Sequence, residues 1–320
     1  MKDLLCIDIL IRVPLNKFFT YKSNIKTKIG SVVKIPFGNN NEIVKGIVIS
    51  KPYNKKSNFQ IKEIISVESY ESILSDPQLE LLNWSSSYYL VGLPKIFNSI
   101  FSKNILNINL DEQSHKKINQ KNKNYKTNLV VDHSKNIIPN IIDEIKSNTN
   151  YKQILILCPN SYKTQSTFNI LSKKCKDMYI YDSKTIPSDK IKIWKSILKN
   201  EKIIILGSKS AVFLPFIDLK KIYVIYEHNY LYKETDKVLR FNARDCAVVL
   251  SNIHMCDIDL ISDSPSLESM YNTKKNKFKF YDKSKKLKLK TDLKRISIFN
   301  KLENKLKNKI DGFISLNILD

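Results

Sequence analysis

The chain reads as an α/β protein: a small β-rich unit first, then a parallel sheet covered by helices on both faces. Three observations predict this. Residues 4–15 alternate, with Leu5, Ile7, Ile9, Ile11 and Val13 on one side and Asp8 and Arg12 on the other, which is the period of a strand. Further on, short β-branched runs recur at 129–131, 154–157, 203–206, 222–226 and 258–261, with helical patterns between them. Strand–helix alternation of this kind argues for a parallel sheet with both faces covered. Between these two regions, residues 102–126 turn polar, rich in Lys and Asn and aperiodic, the composition of a linker.

In order, the first strand is followed by two more, around 31–37 and 43–50, joined by the turn Gly38-Asn-Asn-Asn41, whose residue types tolerate left-handed backbone. Pro36 places its strand at an edge or strand end. Residues 76–91 form a helix, with Asp76 as N-cap and Pro77 at the first helical position. Within the α/β part, 187–198 sets Ile191, Trp194, Ile197 and Leu198 on one side of a helix. Asn242 caps another helix, with Ala243, Cys246, Ala247 and Leu250 as its buried stripe and Arg244 pointing away from it. The expected divisions are 1–101, a linker 102–126, a lobe 127–272, and a basic tail 273–320 holding ten lysines between 273 and 294.

The sequence has 320 residues and carries 54 Lys+Arg against 31 Asp+Glu, a formal charge of +23. That excess suits a polyanionic partner such as nucleic acid. Only four of the cations are arginine, namely Arg12, Arg240, Arg244 and Arg295. Lys, Asn and Ile share AT-rich codons, so drift in base composition also supplies charge. The cysteines at 6, 158, 175, 246 and 256 form no CxxC pair, which points to neither a zinc site nor a disulfide framework. No apolar run approaches the ~20 residues of a membrane span, and the expected location is cytoplasmic.

Four stretches carry a resemblance. These are Gly207-Ser-Lys-Ser-Ala-Val-Phe-Leu-Pro-Phe216, Tyr226-Glu-His228 after an apolar run, Arg240-Phe-Asn-Ala-Arg-Asp245, and Ser262-Asp-Ser-Pro-Ser-Leu-Glu268. In this order and spacing they resemble the first helicase lobe of the PriA family of primosomal replication-restart helicases. Val13-Pro-Leu15, Phe19-Thr-Tyr21, Gly30, Pro36-Phe-Gly38 and Gly46-Ile-Val48 are similar to that family's N-terminal domain, which holds the 3′ end of a DNA strand. The resemblance implies a RecA-like lobe and a DNA pocket at Phe19, Thr20, Tyr21, Gly38 and Lys62, with Thr20 standing where the family commonly has Asp. An aromatic ring there can stack on a terminal base, worth ~1–3 kcal/mol. Phe19 and Tyr21 equally fit the core of a small barrel. Lys209, Arg240 and Arg244 are the DNA-contacting candidates of the lobe. Arg244 also fits a structural ion pair with an acidic neighbour.

The nucleotide site departs from the family. Its glycine-rich GVTGSGKT aligns with Val131-Asp-His-Ser-Lys-Asn136, which lacks the glycines that let backbone N–H groups converge on phosphates. Lys135 remains as a remnant of the ATP site. Of the carboxylate box, Glu227 and His228 remain, and Ile225 or Tyr226 stands at the metal-binding Asp. About twenty residues at 102–126 cannot build the family's winged-helix domain, and the chain stops about where the family's second lobe begins. The reading is a PriA-like replication-restart protein that binds branched or forked DNA and 3′ ends, with its helicase activity lost. No cofactor is expected, ATP and Mg²⁺ entering only if the family activity is kept, and no zinc. Other replication-restart proteins are further candidate partners, and no membrane is. The alternatives are an ATP-dependent 3′–5′ helicase and a product without activity.

Overall fold

The computed structural model describes residues 4–56, 58, 60–110, 124–133, 137–148 and 151–283. Lys135, residues 111–123 of the expected linker and residues 284–320 of the basic tail lie outside the described residues.

The N-terminal part holds β1 (Leu4–Ile11), β2 (Phe19–Lys22), β3 (Val32–Phe37), β4 (Glu42–Val48), β5 (Tyr53–Lys55) and β6 (Ser66–Ser69), then α1 (Asp76–Tyr88) and α2 (Leu93–Ile100). Its sheet runs β2-β1-β4-β3-β6, with β5 also on β1, and all pairs are antiparallel. The alternation of β1 is observed, with Ile7, Ile9 and Ile11 in one core beside Tyr21, Val33, Ile35 and Val48. The opposite face is not polar throughout, because Leu10, Val32 and Ile47 bury there against the two helices. The strand stops at Ile11 rather than running to 15. Arg12 instead turns its guanidinium to the carbonyls of Asn98 and Phe101, where a helix C-terminus leaves carbonyls for a cation.

α1 is capped by Ser75, whose Oγ accepts from Gln78 N at 3.2 Å. The expected cap, Asp76, is the first helical residue instead, where a carboxylate meets the positive end of the helix. Trp84 and Tyr88 stack at 4.8 Å. The helix serves more than the β unit, since the Tyr89 hydroxyl accepts from Asn242 N at 3.2 Å in the α/β part. Residues 102–110 are not linker. A 3₁₀ turn, Lys103–Asn107, and the chain after it bury Ile105, Leu106, Ile108 and Leu110. Such short apolar contacts have no helical or strand period to betray them.

The second part holds β7 (Thr127–Val131), α3 (Ile137–Ser147), β8 (Gln153–Leu157), α4 (Ser161–Leu171), β9 (Met178–Tyr181), α5 (Pro187–Leu198), β10 (Ile203–Gly207), β11 (Leu219–Ile225), α6 (Ala243–His254), β12 (Asp257–Ser262), α7 (Leu267–Lys274) and β13 (Lys279–Asp282). Its sheet runs β13-β7-β12-β11-β8-β10-β9, every pair parallel. The central strands are buried end to end, as expected where helices cover both faces. One face, with α3 and α4, packs Ile154, Ile156, Ile204 and Tyr223. The other, with α5 and α6, packs Leu155, Leu157, Ile205 and Val224.

That second core runs without a break into the N-terminal part through Ile73, Leu81, Phe97 and Phe101. Two further polar contacts cross it besides Asn242 to Tyr89. Trp194 Nε1 donates to Ile73 O at 2.7 Å, and Gln78 Nε2 donates to Phe213 O at 2.6 Å. The described residues up to Lys283 form one compact unit.

Candidate nucleic-acid interface

β2 is an edge strand, and its register on β1 sets Phe19 opposite Ile9, Thr20 opposite Asp8 and Tyr21 opposite Ile7. Adjacent strand residues point to opposite faces, so the expected trio cannot line one pocket. Tyr21 is buried, its hydroxyl donates to Pro36 O at 3.0 Å, and burial raises its pKa. It is a core residue. Phe19 is half-buried and meets Phe37 edge-on at 5.0 Å, with Lys17 Nζ 5.2 Å from its ring. Gly38 follows Phe37 at φ +71°, and a side chain there would meet no atom within 4 Å. The left-handed backbone therefore selects glycine, not a lack of space. Lys62 Nζ donates to Gly38 O at 2.6 Å. Phe19, Phe37, Gly38 and Lys62 thus lie along one edge, with an aromatic pair beside two lysines. Phe37 and Lys17 were not anticipated, and the signal was available in Phe37 beside Gly38.

Thr20 faces the other way. Its Oγ1 donates to Asp8 Oδ1 at 2.8 Å, the Tyr53 hydroxyl donates to the same oxygen at 2.9 Å, and Lys55 Nζ reaches Thr20 Oγ1 at 3.3 Å. Asp8 therefore supplies the carboxylate of this second face.

The other candidates lie past the carboxyl end of the parallel sheet. β11 ends at Ile225, and Tyr226 turns left-handed at φ 56°. Glu227 is buried and accepts four hydrogen bonds: Ser266 N at 2.7 Å, Ser266 Oγ at 2.8 Å, Ser269 Oγ at 2.9 Å and Arg244 Nη1 at 3.1 Å. Four is about the capacity of a carboxylate. Ser266 caps α7, so the carboxylate sits at a helix N-terminus, where negative charge is favoured. Glu227 consequently ties β11, α6 and α7 together.

Arg244 was expected to point outward, and the structure corrects this. Only 7% of it is exposed. Its Nε donates to Asp245 at 2.8 Å and its Nη1 to Ser266 Oγ at 2.8 Å besides Glu227. Burial opposes its charge, yet Asp245 and Glu227 outweigh burial and raise its pKa. Of the two readings, this geometry is the ion pair. Asn242 caps α6 as expected, its side chain accepting from Arg244 N.

Lys209 Nζ lies 3.2 Å from the buried Glu234, so it steadies the loop before Arg240. Arg240 is exposed and has no ion pair among the described residues. His228 is exposed, with Nδ1 2.6 Å from Ser262 Oγ. At the end of β7, Asp132 is buried and its Oδ2 accepts from Asn140 Nδ2 at 3.4 Å, while His133 is exposed. Among the described residues no group of three or more His, Cys, Asp or Glu is placed to hold a metal ion. All five cysteines are free and buried.

Residues 8–102 match the family model of the 3′ DNA-binding domain of PriA, a span that contains the whole Phe19–Lys62 edge. The match supports DNA as a partner. The replication restart protein PriA of Rickettsia prowazekii is 27% identical over 322 residues, covering 92% of this chain and 48% of that protein. The PriA of Borreliella burgdorferi is 27% identical over 311 residues, covering 85% and 45%. The PriA of Chlamydia pneumoniae is 31% identical over 128 residues, covering 40% and 17%. The chain spans about half the length of the curated relatives it matches. The helicase domain of Pyrococcus furiosus Hef superposes with a TM-score of 0.36 at 12% identity, over 51% of this chain and 35% of that one.

Proposed function

From a chain that is PriA-like along most of its length, we propose a replication-restart protein that grips branched or forked DNA at a strand end. The observation that carries this is the Phe19–Phe37–Gly38–Lys62 edge inside the match to a 3′ DNA-binding domain. Phe19 stacks on the terminal base, Lys62 and Lys17 meet phosphates, and Gly38 leaves the sugar room to approach. Arg240 is the one exposed cation among the three lobe candidates and serves as a further phosphate contact.

The test is fluorescence anisotropy on forked, 3′-extended and blunt duplexes across a salt series. If about five phosphates are contacted, affinity falls roughly 10²–10³-fold between 50 and 200 mM salt. Phe19→Ala weakens binding to 3′-extended DNA by ~1–3 kcal/mol and leaves blunt duplex unchanged. Equal loss on both substrates, or none on either, rejects the strand-end reading.

The proposal includes loss of ATP turnover, with no ATP, Mg²⁺ or zinc required for DNA binding. Its supports are the Asp132-His133 start of the loop after β7, which lacks glycine, and Glu227, whose lone pairs are already taken. A DNA-stimulated ATPase assay decides. Turnover that vanishes in Lys135→Ala restores the second reading, an ATP-dependent 3′–5′ helicase. Other replication-restart proteins are proposed as partners and the cytoplasm as the location. Among the described residues no helix is long and apolar enough to cross a membrane.

A further inference from the structure

β9 closes one edge of the parallel sheet, with β10 as its only neighbour among the described residues. Ile204 N donates to Asp177 O at 2.9 Å, and Ile204 pairs with Met178 as Leu206 pairs with Ile180. In a parallel ladder that register turns the N–H and C=O of Met178 and Ile180 away from β10. Thr185 Oγ1 occupies Ile180 O at 3.1 Å. Met178 N–H, Met178 C=O and Ile180 N–H therefore face outward. Exposed edges are ordinarily blunted by charge, proline or a bulge. β9, Met-Tyr-Ile-Tyr, has no charge and no proline, and its pairing register runs unbroken.

The edge is also recessed. α4 lies on one face of the sheet and α5 on the other, and together they wall a trough of about 680 Å³ over β9. Tyr162 and Phe168 line one wall, Ile186 and Ile193 the other. Tyr162 is 77% exposed and Ile186 56%, so each wall presents one uncovered apolar side chain. Lys184, Lys192 and Asp189 are the exposed charges at the trough. Asp182 is engaged by its own turn, accepting from Lys184 N and Thr185 N at 2.8 and 3.0 Å. Cations thus outnumber available carboxylates.

We propose that this trough is a docking site for an extended segment of a partner polypeptide, apolar at alternate residues and acidic between them, which adds to β9 as an eighth strand. The outward backbone groups supply the ladder, the apolar walls take the alternate side chains, and Lys184 and Lys192 select the acidic ones. A helical or folded ligand would leave the three backbone groups unanswered.

The test uses the full chain and a fluorescein-labelled, end-capped nine-residue peptide alternating Ile or Val with Glu or Thr. Two controls carry N-methyl groups on one or the other alternate set of amides. Strand addition uses only one set, so one control loses binding at least tenfold and the other keeps it. Ile180→Pro removes an outward N–H without touching the β10 ladder. It weakens the peptide at least tenfold, while the circular dichroism spectrum and the thermal midpoint stay as in the parent chain. Lys192→Glu weakens it several-fold. The proposal is overturned by absent saturation at millimolar peptide, or by equal binding of the two methylated controls. It is also overturned by displacement with a single-stranded oligonucleotide, which assigns the trough to nucleic acid. Self-association that Ile180→Pro disperses in sedimentation overturns it too, because the edge then belongs to a second copy.

Discussion

Arg244 shares one guanidinium among Glu227, Asp245 and Ser266, and each partner depends on the others. Glu227→Ala leaves the buried Arg244 with Asp245 alone and Ser266 N without its acceptor, and breaking a buried pair costs up to ~3–5 kcal/mol. Glu227→Gln keeps the acceptor for Ser266 N but loses the charge, so its loss is smaller. Urea unfolding of the two variants separates charge from hydrogen bonding, and an unchanged midpoint in Glu227→Ala rejects the clamp. A second residue predicts a pH dependence. His254 is buried at the end of α6, its Nε2 has no partner among the described residues, and burial lowers its pKa from 6.5 to about 3, with Lys220 adding to the effect. Below 6.5 the unfolded chain takes up a proton that the folded chain refuses until about 3. Stability from this group is full above 6.5 and falls with pH through that window, by at most ~1.4 kcal/mol per unit. Between pH 6.5 and 5 the parent chain should lose ~1–2 kcal/mol more than His254→Gln. Parallel losses reject the buried neutral imidazole. The site was half legible at this scale. Sequence reads Arg244 as outward because polar residues flank a buried stripe, whereas its partners, Glu227 and Ser266, come from elements seventeen residues before and twenty-two after it.

Among elements, those with strong periodicity were legible, and α5 runs over the expected 187–198. Strand runs rich in Ile and Val announced β7, β8, β10, β11 and β12. β9 passed unnoticed, since four residues with two tyrosines carry too little pattern. Faces were harder than spans. Phe19, Thr20 and Tyr21 adjoin in sequence, yet the pleat sends Thr20 to the Asp8 network, while Phe19 and Tyr21 share the other face, one half-buried at its margin and one in the core. Caps were placed within one residue, and that residue matters. Ser75→Ala should lower the unfolding free energy by ~1 kcal/mol, with Asp76→Ala costing less. The reverse order would return the cap to Asp76. Gly207 ends β10 where an added Cβ would lie 2.2 Å from Ala211 Cβ and 2.8 Å from Tyr181 O. Gly207→Ala therefore costs more than an ordinary strand substitution. It should do so by thermal melting, with a shift of several degrees for ~1–3 kcal/mol.

Across the whole molecule, one core joins two parts that composition divides. The polar stretch that looks like a boundary begins with four buried aliphatic residues, Ile105, Leu106, Ile108 and Leu110. Unfolding of the β-rich part should therefore carry the α/β part with it. Tryptophan fluorescence and far-ultraviolet circular dichroism should give coincident transitions, and two resolved midpoints would show independent domains. The hydrogen bonds that join the two parts, from Trp194 to Ile73, from Gln78 to Phe213 and from Asn242 to Tyr89, have a bearing beyond cohesion. Oily contacts alone allow two bodies to slip over one another by an ångström or two with little penalty. A directional bond at each of three separate points resists both slip and swivel. The edge around Phe19 and the sheet end around Glu227 are thus held like two fixtures on one bar. Lengthening the bar by one residue at 73–78 would change the angle between them without loosening either.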